Sequence, residues 1–349
     1  MEQGMIRQYT VSRDDSIYEC FPDITQTPSG KLICVFRESE HHANLNHNRL
    51  VCRESLDQGK TWSEKTALTP TMQASFAYNC PRISVLPDGT IAVICDVLDR
   101  STQEYYLKDC VQHLFYSYDD GKTWSEPKVL PMKGIVPDRY RVLSNGRHMF
   151  GIHRRSEKTG KLTQYAYYSD DNGESWTETL VAGDARYELC EVSIVEIEAG
   201  TLVAFMRENS GIGICCLKAI SYDYGTTWEG PYETNIDACH RPTAGLCQSG
   251  NLFMTYRFMH GGKGWAGIWT QNLFGAFLSR ESLLAKTRTE HTARIMPLAY
   301  DRSPKADMGY SGWVQFADGS FYVVTYLLDD APKAQIRGYS FVKSDIILE

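Results

Sequence analysis

The sequence predicts an all-β protein, a six-bladed β-propeller with four-stranded antiparallel blades, built as a single domain over residues 1–349. Two nested repeats carry this expectation. The first is a turn ending in glycine that opens a strand-like run. It occurs at Pro28-Ser29-Gly30, Pro87-Asp88-Gly89, Ser144-Asn145-Gly146, Glu198-Ala199-Gly200, Gln248-Ser249-Gly250 and Ala317-Asp318-Gly319, with Gly-to-Gly spacings of 59, 57, 54, 50 and 69. Units near 50 residues that each hold several short strands are the mark of a propeller. The second repeat, S-x-D-x-G-x-T/S-W, lies inside the first at Ser55–Trp62, Ser117–Trp124, Ser169–Trp176 and Ser221–Trp228.

Each element follows from local chemistry. The runs after the turns (LICVF, IAVICDV, HMFGI, LVAFM, LFMTY, FYVVTY) are rich in β-branched, aromatic and aliphatic residues, as expected for strands buried between blades. In the second repeat Asp accepts from backbone N–H groups two residues on, Gly takes a positive φ, and Trp packs the loop onto its blade. A degraded fifth copy stands at Ser279-Arg280-Glu281-Ser282 and a sixth is missing; residues 281–289 are the one candidate for a short helix.

Composition narrows the function classes. A net charge of -7 disfavours nucleic acid and anionic membrane as partners. No apolar run is long enough to span a bilayer, and the first fifteen residues lack a signal-peptide apolar region. Eleven cysteines without CxxC spacing, two of them adjacent at Cys215 and Cys216, read as reduced thiols in a cytoplasmic protein. No cofactor is expected and the oligomeric state is open.

Seven residues after the six glycines stand Arg37, Asp96, His153, Arg207, Arg257 and Tyr326. Equivalent positions in a propeller face one mouth of the central channel, so these residues are expected to form a ring around a site. Arg37, Arg207 and Arg257 in one cavity repel each other and call for an anionic ligand, and a guanidinium holds a carboxylate in a bidentate fork. A second register, nine before each glycine, is more mixed: Phe21, Cys80, Pro137, Glu191, Arg241 and Tyr310, with His240 beside Arg241.

The S-x-D-x-G-x-T/S-W motifs resemble the Asp boxes of the sialidase superfamily, and the resemblance covers nearly the whole chain. It implies that the boxes are structural and sit on the outer rim. It implies that Tyr310, followed by Ser311, is the nucleophile and that Glu191 activates it, with Arg207 holding a sugar carboxylate. A phenol, with an ordinary pKa of about 10, needs a neighbouring base, and tyrosine nucleophiles are an exception to the two-carboxylate scheme.

The chain departs from that pattern in three places. The family's Arg-Ile-Pro aligns with Cys20-Phe21-Pro22, so the first arginine of its triad is absent. Its Tyr-Glu pair aligns with Tyr326-Leu327. Its acid/base Asp has no counterpart in residues 37–55, which instead hold His41, His42 and His47. Arg82 is the candidate replacement for the missing arginine. The three histidines, or Asp96, are candidates for the proton donor; HHxxxxH has no standard metal-ligand spacing, so no metal site is assigned. Arg241, His240, His153, Tyr326 and Trp265 complete the candidate substrate-binding set.

Three functions remain open on the sequence. The first is an exo-acting glycoside hydrolase removing a terminal acidic sugar, sialic acid or a related ulosonic or uronic acid. The second is a propeller lyase acting on uronate glycosides by β-elimination, which the His-rich loop favours. The third is a non-catalytic glycan-binding propeller.

Overall fold

The computed structural model describes residues 6–43, 47–72, 76–99, 110–259 and 270–345. Six antiparallel sheets follow one another along the chain. Blade one comprises Tyr18–Gln26, Leu32–Ser39, Arg49–Ser55 and Thr66–Ala67. Blade two has a broken inner strand, Phe76–Tyr78 and Arg82–Val85, both paired with Ile91–Asp99, and continues through Val111–Ser117 and Lys128–Leu130. Blade three runs Arg141–Val142, His148–Arg155, Leu162–Ser169 and Thr177–Ala182. Blade four runs Leu189–Glu198, Thr201–Glu208, Leu217–Ser221 and Glu229–Glu233. Blade five runs Cys239–Leu246, Leu252–Met259, Gln271–Leu278 and Arg294–Tyr300. Blade six takes Gly309–Gln315, Phe321–Leu327 and Gln335–Phe341 from the end of the chain and Arg7–Ser12 from its beginning. That last pairing, from Arg7 opposite Ser340 to Ser12 opposite Ile336, ties the ring shut. The inner strands of blades one and two, four and five, five and six, and six and one pack on each other, and blade three packs on the inner strand of blade four through its second and third strands.

The turn glycines adopt φ between +79° and +90°. In five blades the glycine N–H donates 2.9 Å to the carbonyl three residues earlier, as from Gly30 to Thr27. In blade four the Glu196 carboxylate takes that role for Gly200, at 3.1 Å. The second strands they open are almost wholly buried, which is why their sequences are apolar until the polar residues near their ends.

The Asp boxes are outer-rim clips. In the first, the Asp57 carboxylate accepts from the Thr61 N–H (2.9 Å) and hydroxyl (2.7 Å), Ser55 accepts from the Gly59 N–H (2.9 Å), and the Trp62 indole donates to the Gly59 carbonyl (3.1 Å). The box also holds its blade to the preceding one: the Tyr322 hydroxyl of blade six donates 2.8 Å to the Gly59 carbonyl. The degraded fifth copy is a helical turn, Arg280–Leu284, capped by Ser279. It starts one residue before the expected segment and ends well short of it, because Lys218 donates to the Ser282 (2.6 Å) and Leu283 (2.9 Å) carbonyls and terminates it.

All eleven cysteines are buried and none is joined in a disulfide. Among the described residues no helix is long and apolar enough to cross a membrane.

The second register proves to be a structural one. Phe21, Glu191, Arg241 and Tyr310 have φ of 57°, 49°, 49° and 40°, and each sits where the pairing of the inner strand slips. In blade three Val136, at φ 54°, takes the place beside Pro137. Such bulges re-aim a side chain, and left-handed backbone at non-glycine residues is a strain that clusters at functional sites.

Candidate functional site

The bulges and the ends of the second strands surround a cavity of about 350 Å³ at one mouth of the ring. Four residues of the seven-after-glycine set line it: Arg37, His153, Arg207 and Arg257. Phe21, Glu191 and Tyr310 line it from the bulges, His42 and Asn79 from the first two blades, and Asn209 from beyond Arg207.

Glu191 is the centre of the hydrogen bonding. One carboxylate oxygen accepts from the Tyr310 hydroxyl and from Arg207 Nη1 (2.8 Å); the other accepts from the Arg241 backbone N–H (2.9 Å). Burial pushes this carboxyl upward, but Arg207, Arg257 and Arg241 together with the Tyr310 hydroxyl more than offset it and hold it down at about 2. Tyr310 moves the other way. Burial, then the Glu191 charge, raises its phenol well above the ordinary value, with Arg207 and Arg257 opposing. In the resting site the proton therefore stays on Tyr310 and Glu191 is an anion.

The Tyr310 ring is wedged between charges and an aromatic. The Arg241 and Arg257 guanidinium carbons lie 5.4 Å and 5.7 Å from its centroid, and the Phe21 ring centroid lies 4.8 Å away. Guanidinium groups against a ring of this kind stabilise negative charge on it.

The three cavity arginines differ in what they already hold. Arg207 has the Glu191 carboxylate. Arg37 has neutral acceptors, the Asn79 side-chain oxygen (2.9 Å) and the His42 carbonyl (2.7 Å). Arg257 donates to the Met308 carbonyl (3.2 Å) and lies 3.3 Å from His240 Nδ1. The Nε atoms of all three are buried without a hydrogen-bond partner among the described residues. Buried cations without a carboxylate are costly, and an anionic ligand is the natural remedy.

Several candidates fall elsewhere. Asp96 is fully buried behind Asn79, whose amide donates 3.0 Å to it, and burial raises its carboxyl. It does not line the cavity, and the expectation that it reaches substrate is corrected on that ground. Arg82 is not a replacement for the missing arginine. It reaches across the central channel to the Ser311 carbonyl (3.1 Å) and the Thr243 hydroxyl (2.9 Å), beside Asp23 (3.4 Å). Arg241 donates to the Pro137 carbonyl at 2.8 Å and, with Arg82, belongs to a polar plug beneath the cavity. His240 is buried behind Arg257, and burial followed by Arg207 and Arg257 keeps it neutral. Tyr326 is also buried away from the cavity and donates 3.0 Å to Asp307. His41 is exposed, and His47 is half-buried and outside the lining. Trp265 lies outside the described residues.

His153 does reach the cavity. Burial, then the nearby arginines, brings its imidazole down to about 3 despite Glu191, so it is neutral and accepts from the Glu191 N–H at 3.3 Å. His42 is the histidine of the first-blade loop that lines the cavity, and its Nδ1 lies 2.8 Å from Asp307. No group of three or more His, Cys, Asp or Glu suited to a metal ion occurs among the described residues.

Sequence reasoning missed Asp307, Asn209 and the positioning role of Asn79. Asn79 falls ten before Gly89, the position that His240 holds before Gly250. Asp307 sits in the loop before blade six, outside either register, and only folding brings it to His42.

The BNR repeat-like domain family matches residues 73–323. A sialidase of Paraclostridium sordellii is 24% identical over 217 residues, 56% of this chain and 52% of that one; the chain thus spans about half of that relative's length. Among solved structures, a protein of unknown function from Dyadobacter fermentans superposes with a TM-score of 0.78 at 21% identity, over 98% of this chain and 100% of that one. A Hadza microbial sialidase superposes with a TM-score of 0.75 at 18% identity, over 97% of this chain and 69% of that one. With the six closed blades and the four Asp boxes, these matches show that the chain belongs to the BNR repeat-like family of the sialidase superfamily.

Proposed function

We propose that this protein is an exo-acting glycoside hydrolase that removes a terminal acidic sugar, sialic acid or a related ulosonic or uronic acid. The observation that carries the reading is the Tyr310 hydroxyl bonded to buried Glu191 in a cavity lined by Arg37, Arg207 and Arg257. Its relatives named as sialidases support the class of reaction. The cavity volume is at the low end for small-molecule sites and suits one sugar unit, while the plug of Arg82 and Arg241 beneath it suits an end-on substrate.

In this mechanism the sugar carboxylate binds Arg37 and Arg257 and competes with Glu191 for Arg207. Neutralising the arginines weakens the hold on the Glu191 charge, so Glu191 becomes a stronger base when an anionic substrate is in place. Tyr310 then attacks the anomeric carbon as its proton passes to Glu191, and His42 protonates the departing oxygen. Water hydrolyses the tyrosyl intermediate in a second displacement, giving retention. A phenol as nucleophile avoids presenting a full negative charge to an anionic sugar.

Product analysis in H₂¹⁸O tests the reading, with sialyl, other ulosonic and glucuronyl glycosides. One heavy oxygen in the released sugar supports hydrolysis. An unsaturated, unlabelled product moves the protein to the lyases. No product across the panel, with an acidic sugar still bound, leaves a glycan-binding propeller.

A further inference from the structure

Arg37 and Arg207 both stand seven residues after a turn glycine, yet the side chains that hold them differ in charge. Arg207 Nη1 meets the Glu191 carboxylate at 2.8 Å. Arg37 Nη1 meets the Asn79 side-chain oxygen at 2.9 Å, and its Nη2 meets the His42 carbonyl at 2.7 Å. A carboxylate cancels a guanidinium charge, whereas an amide oxygen fixes its direction and leaves the charge in place. Arg37 is 1% exposed and lies 4.5 Å from the centre of the Phe21 ring, so solvent screens that charge little.

Asn79 holds Arg37 only while its amide oxygen, and not its N–H₂ group, faces the guanidinium. Two blades secure that orientation. Asn79 lies in the break of the inner strand of blade two, directly after Phe76–Tyr78. Its backbone N–H donates to the Asp96 carbonyl at 2.8 Å, and its side-chain N–H₂ donates to the Asp96 carboxylate at 3.0 Å. Blade one grips the preceding residue: the Asn48 amide donates to the Tyr78 carbonyl (2.9 Å), and its oxygen accepts from the Tyr78 N–H (2.7 Å). An arginine donates and a carboxylate accepts, so one orientation of the Asn79 amide satisfies both sides. Asp96 is fully buried; burial raises its carboxyl, while the Asn79 amide, the Val136 N–H and Arg241 favour the anion. The acidic group therefore stands one side chain behind Arg37, with a neutral amide between them.

We propose that Asn79 is a specificity-determining residue of this cavity: as the neutral acceptor on Arg37, locked by Asp96, it keeps that arginine cationic toward the ligand and so selects a sugar that carries a carboxylate. The inference rests on the acidic-sugar reading and deepens it at one residue. The chain supplies its own contrast. Where Arg37 has an amide, Arg207 has a carboxylate, and a ligand must compete with Glu191 for it. A carboxylate at position 79 would put Arg37 in the same state.

The test is the exchange Asn79→Asp with Asp96→Asn in the full chain. The carboxylate then accepts from Arg37 and from the amide behind it, so shape and hydrogen bonding are kept while the acidic group moves one side chain closer to the cavity. Binding is measured by isothermal titration calorimetry with N-acetylneuraminic acid and glucuronic acid, and with the methyl ester of each as the uncharged comparator. The exchange is expected to raise Kd for the acids about 10–100-fold, the weight of a hydrogen bond between charged groups, and to leave Kd for the esters within about threefold. Acid binding within about threefold of wild type, or equal loss of acid and ester, overturns the inference and leaves the acidic-sugar reading standing. If the exchanged protein does not fold, Asn79→Asp alone is read by the same two criteria. Wild-type protein that binds neither acid, or binds acid and ester alike, removes the acidic-sugar reading, and the inference with it.

Discussion

Replacing Glu191 with glutamine tests the electrostatic core of the site. The side chain keeps its shape and loses its charge. Arg207 loses its carboxylate, and Arg241 and Arg257, which also favour the Glu191 anion, lose their counter-charge. Both members of the Glu191–Arg207 pair are about 5% exposed. Removing one partner of such a buried pair costs about 3–5 kcal/mol. An unfolding entropy of about 2.1 cal/mol/K per residue gives roughly 0.7 kcal/mol/K for 349 residues, so Tm is expected to fall by about 4–7 °C. The assay is thermal unfolding by differential scanning fluorimetry at pH 7, with and without an acidic monosaccharide. The ligand carboxylate supplies the missing charge, so its stabilising shift is expected to be larger in the variant than in the wild type. The pH dependence has a definite sign. A carboxyl held at about 2 contributes stability that is complete above the ordinary carboxylate range and is lost as pH falls toward 2. The gap between the two proteins should therefore be full at neutral pH and narrow below about pH 4. A Tm within 1 °C of wild type at pH 7, roughly a third of the smallest expected shift or less, with no enhanced ligand response, would refute the claim that Glu191 neutralises the buried arginines.

Four further outcomes follow from the same geometry. Tyr310→Phe is expected to cut kcat by about 10³-fold or more while the Kd for an acidic monosaccharide, measured calorimetrically, stays within about threefold; an active variant would exclude the tyrosine as nucleophile. Arg257→Met is expected to raise KM or Kd by roughly 10–100-fold, the loss of charge-assisted hydrogen bonds to a carboxylate, with little change for an uncharged sugar analogue. Gly59→Ala should destabilise the fold by about 2 kcal/mol or more without changing kcat/KM of the folded protein, because its φ is +84° and a Cβ there falls 2.3 Å from the Tyr322 ring. The native cysteines should react with a disulfide reagent at neutral pH only slowly, because burial raises Cys20 and Cys247 to about 12 and Cys52 to about 11; rapid titration would contradict their packing.

The seven-after-glycine register was legible because it follows directly from the turn: the glycine sets where the second strand begins, and a near-constant number of strand residues then carries the chain to the mouth. It put Arg37, His153, Arg207 and Arg257 on the cavity. It misjudged Asp96 and Tyr326, which share the register but are covered by Asn79 and paired with Asp307. The nine-before-glycine register looked mixed because a bulge conserves backbone conformation and leaves the side chain free to vary: Phe21 and Glu191 share a φ near +50° and a place on the cavity, but not their side-chain chemistry. Arg82 was misplaced because alignment says which residue is near a missing one, and not which way the channel turns it.

The sequence by itself determined the number of blades and the Asp boxes, because each rests on local turn chemistry or on a repeat that recurs at a nearly constant interval, whereas the pairing of Tyr310 with Glu191 was an implication of the family resemblance. Only the tertiary structure decided which of three histidines meets the cavity, why three arginines are tolerated there, and that Asp307 stands behind His42. Those facts depend on loops of unequal length from blades one and six meeting across the closure of the ring, and no period in the chain encodes the distance between them.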